Sequence, residues 1–254
     1  MSFDVAADAY GRFMGRFSEP LADAFAATLA LHRGQRALDV GCGPGALTAR
    51  LVDALGPAAV SAVDPSAPFV AAARERLPGV DIREASAEQL PYDDDTFDVT
   101  AAELVVHFMA DPVAGIREMG RVTRVGGLVA ACVWDFGAGR DPLNVFWTAV
   151  RHLDPAAHDE SGLPGTHEGQ LVSYFESAGL SDVRGTLLTV TVEVGSFDDW
   201  WQPFTLGVGP AGSYVAELDD AARSRLRDEC GRVLGDHDIH ISASAWSAAG
   251  VVST

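Results

Sequence analysis

A short apolar run carrying one acid, Ala37-Leu38-Asp39-Val40, passes directly into Gly41-Cys42-Gly43-Pro44-Gly45 and a helix-like segment. A second apolar run then closes on Val63-Asp64-Pro65-Ser66. Glycines at alternate positions behind a strand allow a tight turn and a close backbone approach, because no Cβ blocks positive φ. The following helix aims its free N–H groups at the same place. A chain with this strand, turn, helix and strand is committed to an α/β fold, and the turn is the front half of a nucleotide-cofactor site.

The pattern alone admits two kinds of cofactor. Gly41, Gly43 and Ala46 satisfy the dinucleotide fingerprint, and Asp64 follows at about the distance of its ribose-binding acid, roughly 20 residues on. Charge separates the two. A pyrophosphate brought to this turn would be repelled by Asp39, whereas S-adenosylmethionine brings a sulfonium and an ammonium and no phosphate. Further acids fall where later strands should end: Asp64, then Glu84 and Glu88, then Glu103. An acidic rim suits a cationic ligand.

Strand and helix patterns alternate from 36 to 134, with strands near 36–40, 59–63, 80–84, 97–102 and 127–134. This alternation predicts a parallel sheet with right-handed crossovers. Ahead of it, Phe13, Phe17, Leu21, Phe25 and Leu29 recur every fourth residue, so 4–31 reads as helix, split near Ser18-Glu19-Pro20 with Ser18 as a cap. After Trp134 the rhythm breaks into a glycine- and proline-rich excursion over 135–168 around a helical piece, 144–153. Helix returns over 169–178 and an alternating strand over 183–194. A second excursion, 197–235, holds a helical stripe of Val215, Leu218, Ala222, Leu226, Cys230 and Val233, and 239–252 is apolar enough to be the final strand.

The run Leu38 to Thr48, the Val63-Asp64-Pro65-Ser66 end, the segment 85–92, Phe97-Asp98-Val99 and the helix and turn 117–127 stand in one order and spacing across 36–134. In these motifs the chain resembles the class I S-adenosylmethionine-dependent methyltransferases, in the small-molecule branch related to the ubiquinone and menaquinone biosynthesis methyltransferases. The resemblance implies a Rossmann-like three-layer α/β sandwich: a seven-stranded, mostly parallel sheet whose last strand is antiparallel, with helical insertions as a substrate cover. It implies one domain over 1–254, with a helical lid at 1–35, a cofactor-binding core at 36–134 and covers at 135–168 and 197–238.

Residue by residue, the resemblance assigns Gly41, Cys42 and Gly43 to the cofactor through their backbone, Asp39 to the loop amides or the ligand ammonium, and Asp64 with Pro65 to the ribose. Ser86 stands where the family commonly has an Asp accepting from the adenine amino group, and Ala87 offers its N–H to an adenine ring nitrogen. Ala102, through its carbonyl, and Glu103 would face the methionine ammonium. Tyr10 and Arg16 in the leading helix would close over the cofactor, with Arg16 clamping the methionine carboxylate. His107 follows at the same edge and is the candidate base. Glu88 reads as a helix-start acid. The implied reaction moves a methyl group to an O, N or C nucleophile of a small molecule and yields S-adenosyl-L-homocysteine. A non-catalytic S-adenosylmethionine-binding regulator and an NAD-dependent oxidoreductase stay open as alternatives.

Composition removes other classes. A formal charge of −18 argues against a nucleic-acid partner, which needs basic surface to release counterions. No run approaches about 18 apolar residues, so no membrane insertion is expected. The opening Met1-Ser2-Phe3-Asp4 lacks the features of a signal peptide, so a cytoplasmic location is expected. Cys42, Cys132 and Cys230 are too widely spaced for a disulfide framework or a zinc pattern. Asp93-Asp94-Asp95 reads as a solvated turn, and His237-Asp238-Ile239-His240 lacks the further ligands of a metal site. Trp200, Trp201 and Phe204 suit a substrate pocket and a core equally well. The acceptor and the oligomeric state are not written in the chain.

Overall fold

The computed structural model describes residues 11–235 and 239–253. A π-type turn, Gly11–Gly15, runs into α1 (Arg16–Thr28). Then come β1 (Ala37–Val40), α2 (Ala46–Leu55), β2 (Val60–Asp64), α3 (Ala67–Arg76), β3 (Asp81–Glu84), β4 (Phe97–Glu103), α4 (Pro112–Val122) and β5 (Thr123–Trp134). The second half holds α5 (Asn144–Leu153), α6 (Gln170–Ser177), β6 (Ser181–Val194), α7 (Phe197–Trp201), α8 (Gly209–Glu217), α9 (Asp220–Leu234) and β7 (Ile239–Val251).

The strands form one sheet in the order β3-β2-β1-β4-β5-β7-β6. β1 to β5 pair in parallel, and β7 lies antiparallel to both β5 and β6. Every residue of β1 and β2 is buried, as the short apolar runs demand of strands covered on both faces. One face packs under α1, α2 and the aromatic residues of both excursions; the other packs under α4 and α6. Strand order reverses between β1 and β4, so the loops leaving those two strands diverge and open a crevice at their carboxyl ends. The seven-stranded α/β sheet with an antiparallel last strand is the architecture the sequence led us to expect.

Several local readings change. Ser18 does not cap a second helix: it is buried inside α1, and the change of winding falls at Gly15 and Arg16. Pro20 stays within α1, where it has no N–H to give the Arg16 carbonyl, one turn after the wider winding ends. The helix stops at Thr28. β5 starts at Thr123, so the turn around Gly126 and Gly127 is an irregularity of the strand rather than its beginning. The stripe from Val215 to Val233 is not one helix. Leu218 ends α8, and Asp219 caps α9 by accepting from the Ala222 N–H. Glu88 lies in a turn with no helix behind it; its carboxylate accepts from the Ala110 N–H at 2.9 Å and ties the loops after β3 and β4 together.

Candidate active site

The glycine loop is shaped mostly by its own backbone. Gly41 and Cys42 both donate to the Val63 carbonyl, at 2.7 and 2.9 Å, which fastens the loop to the end of β2. Gly41 has φ +73°, and a Cβ there would collide with the Val105 methyls. Its glycine thus serves a close contact with the exit of β4 as well as the turn. Gly43, at φ +51°, faces open space. Gly45, at φ +95°, starts α2 in the left-handed conformation, where a Cβ would meet Leu77 at 2.9 Å. The Cys42 side chain turns away into a small cluster with Ala62, Val70 and Ala73.

Three carboxylates converge below this loop. Asp64 accepts from the Gly43 N–H with one oxygen and from the Ser66 N–H with the other, both at 2.8 Å. Asp39 is 1 % exposed and accepts from the Thr48 hydroxyl at 2.6 Å. Burial pushes its carboxyl up to about 7, against the help of Thr48, and the charge of Asp64 adds to the rise. Asp64 is raised by burial as well. Glu103, at the end of β4, is raised well above the usual carboxylate range by burial and by Asp39, and its Oε1 is buried without a hydrogen-bond partner among the described residues. Burial is thus the leading cause for all three acids, and it favours their uncharged forms.

A cleft open to solvent lies above them. Gly41, Gly43, Asp64, Pro65 and Glu103 line it, together with Phe69, Leu104, Val105 and Phe108. Asp39 lies under its floor, fully enclosed. Ala102 is buried within β4, and Ser86 and Ala87 are not on the lining; their loop is held to β2 by the Ala85 N–H on the Asp64 carbonyl, 3.2 Å away. Arg16 points elsewhere. Its guanidinium bonds the carbonyls of Arg12 and Asp199 and ties the leading helix to the second excursion. Tyr10 lies outside the described residues.

Leu104 is the residue the sequence concealed. It follows β4 at φ +60°, an uncommon conformation for a side chain of its size, and its N–H bonds the Cys132 carbonyl at 2.8 Å. This forced turn sends the chain into the short 3-10 turn Val106–Phe108. Leu104 and Phe108 thereby line both the glycine-loop cleft and a second, mostly apolar chamber. Phe13, Met14, Trp134, Phe136, Leu143 and Val208 contribute to that chamber, as do His107 and Glu160. Its walls thus come from the leading helix, the ends of β4 and β5 and both excursions. No local pattern announces such a chamber, since its residues are scattered along the chain.

His107 is 5 % exposed, and burial lowers it to about 3, so the imidazole stays neutral. Its ring centroid lies 3.9 Å from that of Phe108. Trp200, Trp201 and Phe204 belong to the core: Phe204 stacks on Phe146 at 4.6 Å and packs edge-on against Phe13 at 5.2 Å. Among the described residues no metal-holding cluster occurs, and His237 and Asp238 lie outside them. Among the described residues, too, no helix is long and apolar enough to cross a membrane.

The chain is similar to known proteins in sequence and in fold. Residues 38–131 match the family model described as "Methyltransferase domain". The chain is 30% identical to a demethylmenaquinone methyltransferase of Halalkalibacterium halodurans over 173 residues, 61% of this chain and 71% of that protein. It is 33% identical to 2-methyl-6-phytyl-1,4-hydroquinone methyltransferase 2 of Oryza sativa over 60% of this chain, and the match spans only 40% of the rice protein. Among solved structures, geranyl diphosphate C-methyltransferase from Streptomyces coelicolor, in complex with Mg2+, geranyl diphosphate and S-adenosyl-L-homocysteine, superposes with a TM-score of 0.55 at 14% identity, covering 94% of this chain and 80% of that one. By this match the chain belongs to the S-adenosylmethionine-dependent methyltransferases.

Proposed function

We propose that this chain moves the methyl group of S-adenosylmethionine onto a nucleophilic atom of a small molecule held in the apolar chamber. The observation that carries the reading is that the acid-floored cleft and the chamber share two walls, Leu104 and Phe108. Two ligands placed in them would meet there.

The residues of the cleft fit the cofactor. Gly43 leaves room for a ligand against the backbone, and Glu103 holds an unused buried oxygen. Asp39 and Glu103 would supply the negative potential that a sulfonium and an ammonium require, and Asp64 and Pro65 would hold the ribose. Both oxygens of Asp64 already accept a loop N–H, and each keeps a lone pair for a ribose hydroxyl. Ser86 and Ala87 are assigned to the adenine side, Ala102 to the backbone around the ammonium, and the π turn and α1 to the lid that Arg16 fastens through Asp199. The cofactor supplies a methyl already activated by its positive sulfur.

What remains for the protein is to align the acceptor and keep water out. Alignment alone is worth about 7–11 kcal/mol in well-oriented systems. A histidine held near 3 is a poor proton acceptor at neutral pH, so His107 acts as a wall and hydrogen-bonding group rather than as the base. The His107→Ala variant should therefore keep kcat within a few-fold and show its loss in KM. A kcat reduced by about 100-fold or more, with cofactor binding intact, would restore the base role.

Calorimetry with S-adenosylmethionine, S-adenosylhomocysteine and NAD in parallel tests the reading as a whole. Binding of the first two and not the third is expected, and weakened by Asp39→Ala. Tight binding of NAD alone would overturn it.

A further inference from the structure

Three residues that line the apolar chamber each carry a buried polar atom with no hydrogen-bond partner among the described residues: His107 Nδ1, Trp134 Nε1 and Glu160 Oε2. They come from three separate elements, the turn after β4, the end of β5 and the 3-10 turn Glu160–Gly162 of the first excursion. Buried polar atoms are nearly always satisfied in folded proteins, and each exception calls for an explanation. A single ligand in the chamber whose polar atoms complement theirs would account for all three.

Glu160 is the most telling of the three. It is 4 % exposed, on a turn that Asp159 caps by accepting from the Ser161 N–H, and it stands on the wall between this chamber and a more polar recess containing Asp141 and Asn144. An acid in such a place has no packing advantage over leucine or glutamine. Phe13, Phe108, Phe136 and Leu143 supply the flat apolar surfaces around it.

We propose that Glu160 determines which acceptor is methylated, by bonding through its free oxygen to a hydroxyl group carried on a flat apolar molecule. Trp134 Nε1 can only donate, while His107 and Glu160 can each serve as acceptor; a hydroxyl both donates and accepts and so answers the set. Burial pushes the Glu160 carboxyl up to about 8, and Asp141 adds to the rise against a hydrogen bond from the Trp147 side chain, so the uncharged form is favoured near neutral pH. The chamber therefore offers hydrogen bonds without a net charge. Charged molecules would lose their hydration on entering and gain no ion partner, whereas a neutral ring with a hydroxyl loses little. This inference rests on the methyl-transfer reading, since it treats the chamber as the acceptor's place.

The test uses 1-naphthol and naphthalene as probes, titrated into the full chain with and without saturating S-adenosylhomocysteine. Quenching of tryptophan fluorescence would report occupancy. Wild-type protein should bind 1-naphthol about tenfold or more tightly than naphthalene, because a site built around polar groups rejects an analogue that leaves them unpaired. Glu160→Leu should bring that ratio close to one, and Glu160→Gln should keep much of it, with S-adenosylhomocysteine affinity unchanged in both variants as proof of folding. Equal binding of the two probes by wild type, or an undiminished ratio in Glu160→Leu, would overturn the proposal. If S-adenosylhomocysteine itself fails to bind wild type, the methyl-transfer reading fails, while the probe ratio measured without it still decides the role of Glu160.

Discussion

Gly41 shows how one position can be required twice. Its left-handed backbone would cost an alanine about 1–2 kcal/mol, and the added Cβ would press on Val105 at a further cost of about 1–3 kcal/mol. Urea unfolding of Gly41→Ala should show both losses in the wild-type background, and only the backbone part when Val105→Ala is also present. An equal cost in the two backgrounds would mean that the Val105 contact is irrelevant. The turn was legible in the sequence because glycine after a strand has few other uses. Val105 was not, because a valine two residues beyond a strand end carries no sign of what it touches. The same holds for Asp64, whose acid at a strand end was readable while its grip on the Gly43 and Ser66 amides was not.

At the scale of elements, the strands were the clearest part of the chain, since a buried parallel strand is a short apolar run between turn signals. Helix ends were less clear. A stripe of apolar residues at the right spacing continues across Leu218 and Asp219, yet the capping acid breaks it into α8 and α9. The two excursions are joined by their aromatic rings, and Phe204 stands at the centre, in ring contact with Phe13, Phe146, Trp200 and Trp201. Phe204→Ala should lower stability by about 3–5 kcal/mol in chemical denaturation, through lost burial and the cavity left behind. Because Phe13 and Leu143 wall both this cluster and the apolar chamber proposed for the acceptor, KM should rise even where the variant remains folded. A variant with wild-type midpoint and KM would show that the excursions hold together without this ring.

For the molecule as a whole, the decisive property is an excess of acid, part of it buried. Folding raises Asp39 and Asp141 to about 7 and Glu160 to about 8, so over this range the native state binds more protons than the unfolded chain. Their stabilising contribution is complete below the ordinary carboxylate range and is lost as pH rises through 7 to 8. His107, lowered to about 3, acts with the opposite sign, but only up to its ordinary value of 6.5. Between about pH 6.5 and 8.5 the acids act alone, and Tm should fall, by about 2–4 °C for each kcal/mol lost. S-adenosylmethionine should restore part of the loss and bind more tightly as pH rises, since a cation displaces protons from Asp39 and Glu103. Calorimetry in buffers of different ionisation enthalpy would register that proton release, and a rising Tm across this range would contradict the assignment. The net charge of −18 and the acids at the strand ends were legible in the chain, but the burial of Asp39 and Glu103 beneath the loop was not, because burial belongs to the fold.

The strand order has a consequence for how such a molecule comes into being. β7 lies between β5 and β6, pairing with both, although it follows them in the chain. While the polypeptide is still emerging from a ribosome, β5 has an open flank and β6 has no neighbour to hold it. The half that carries the glycine loop can take shape early, whereas the apolar chamber, roofed by segments strung between β5 and β7, must wait for the last strand to slide into the gap.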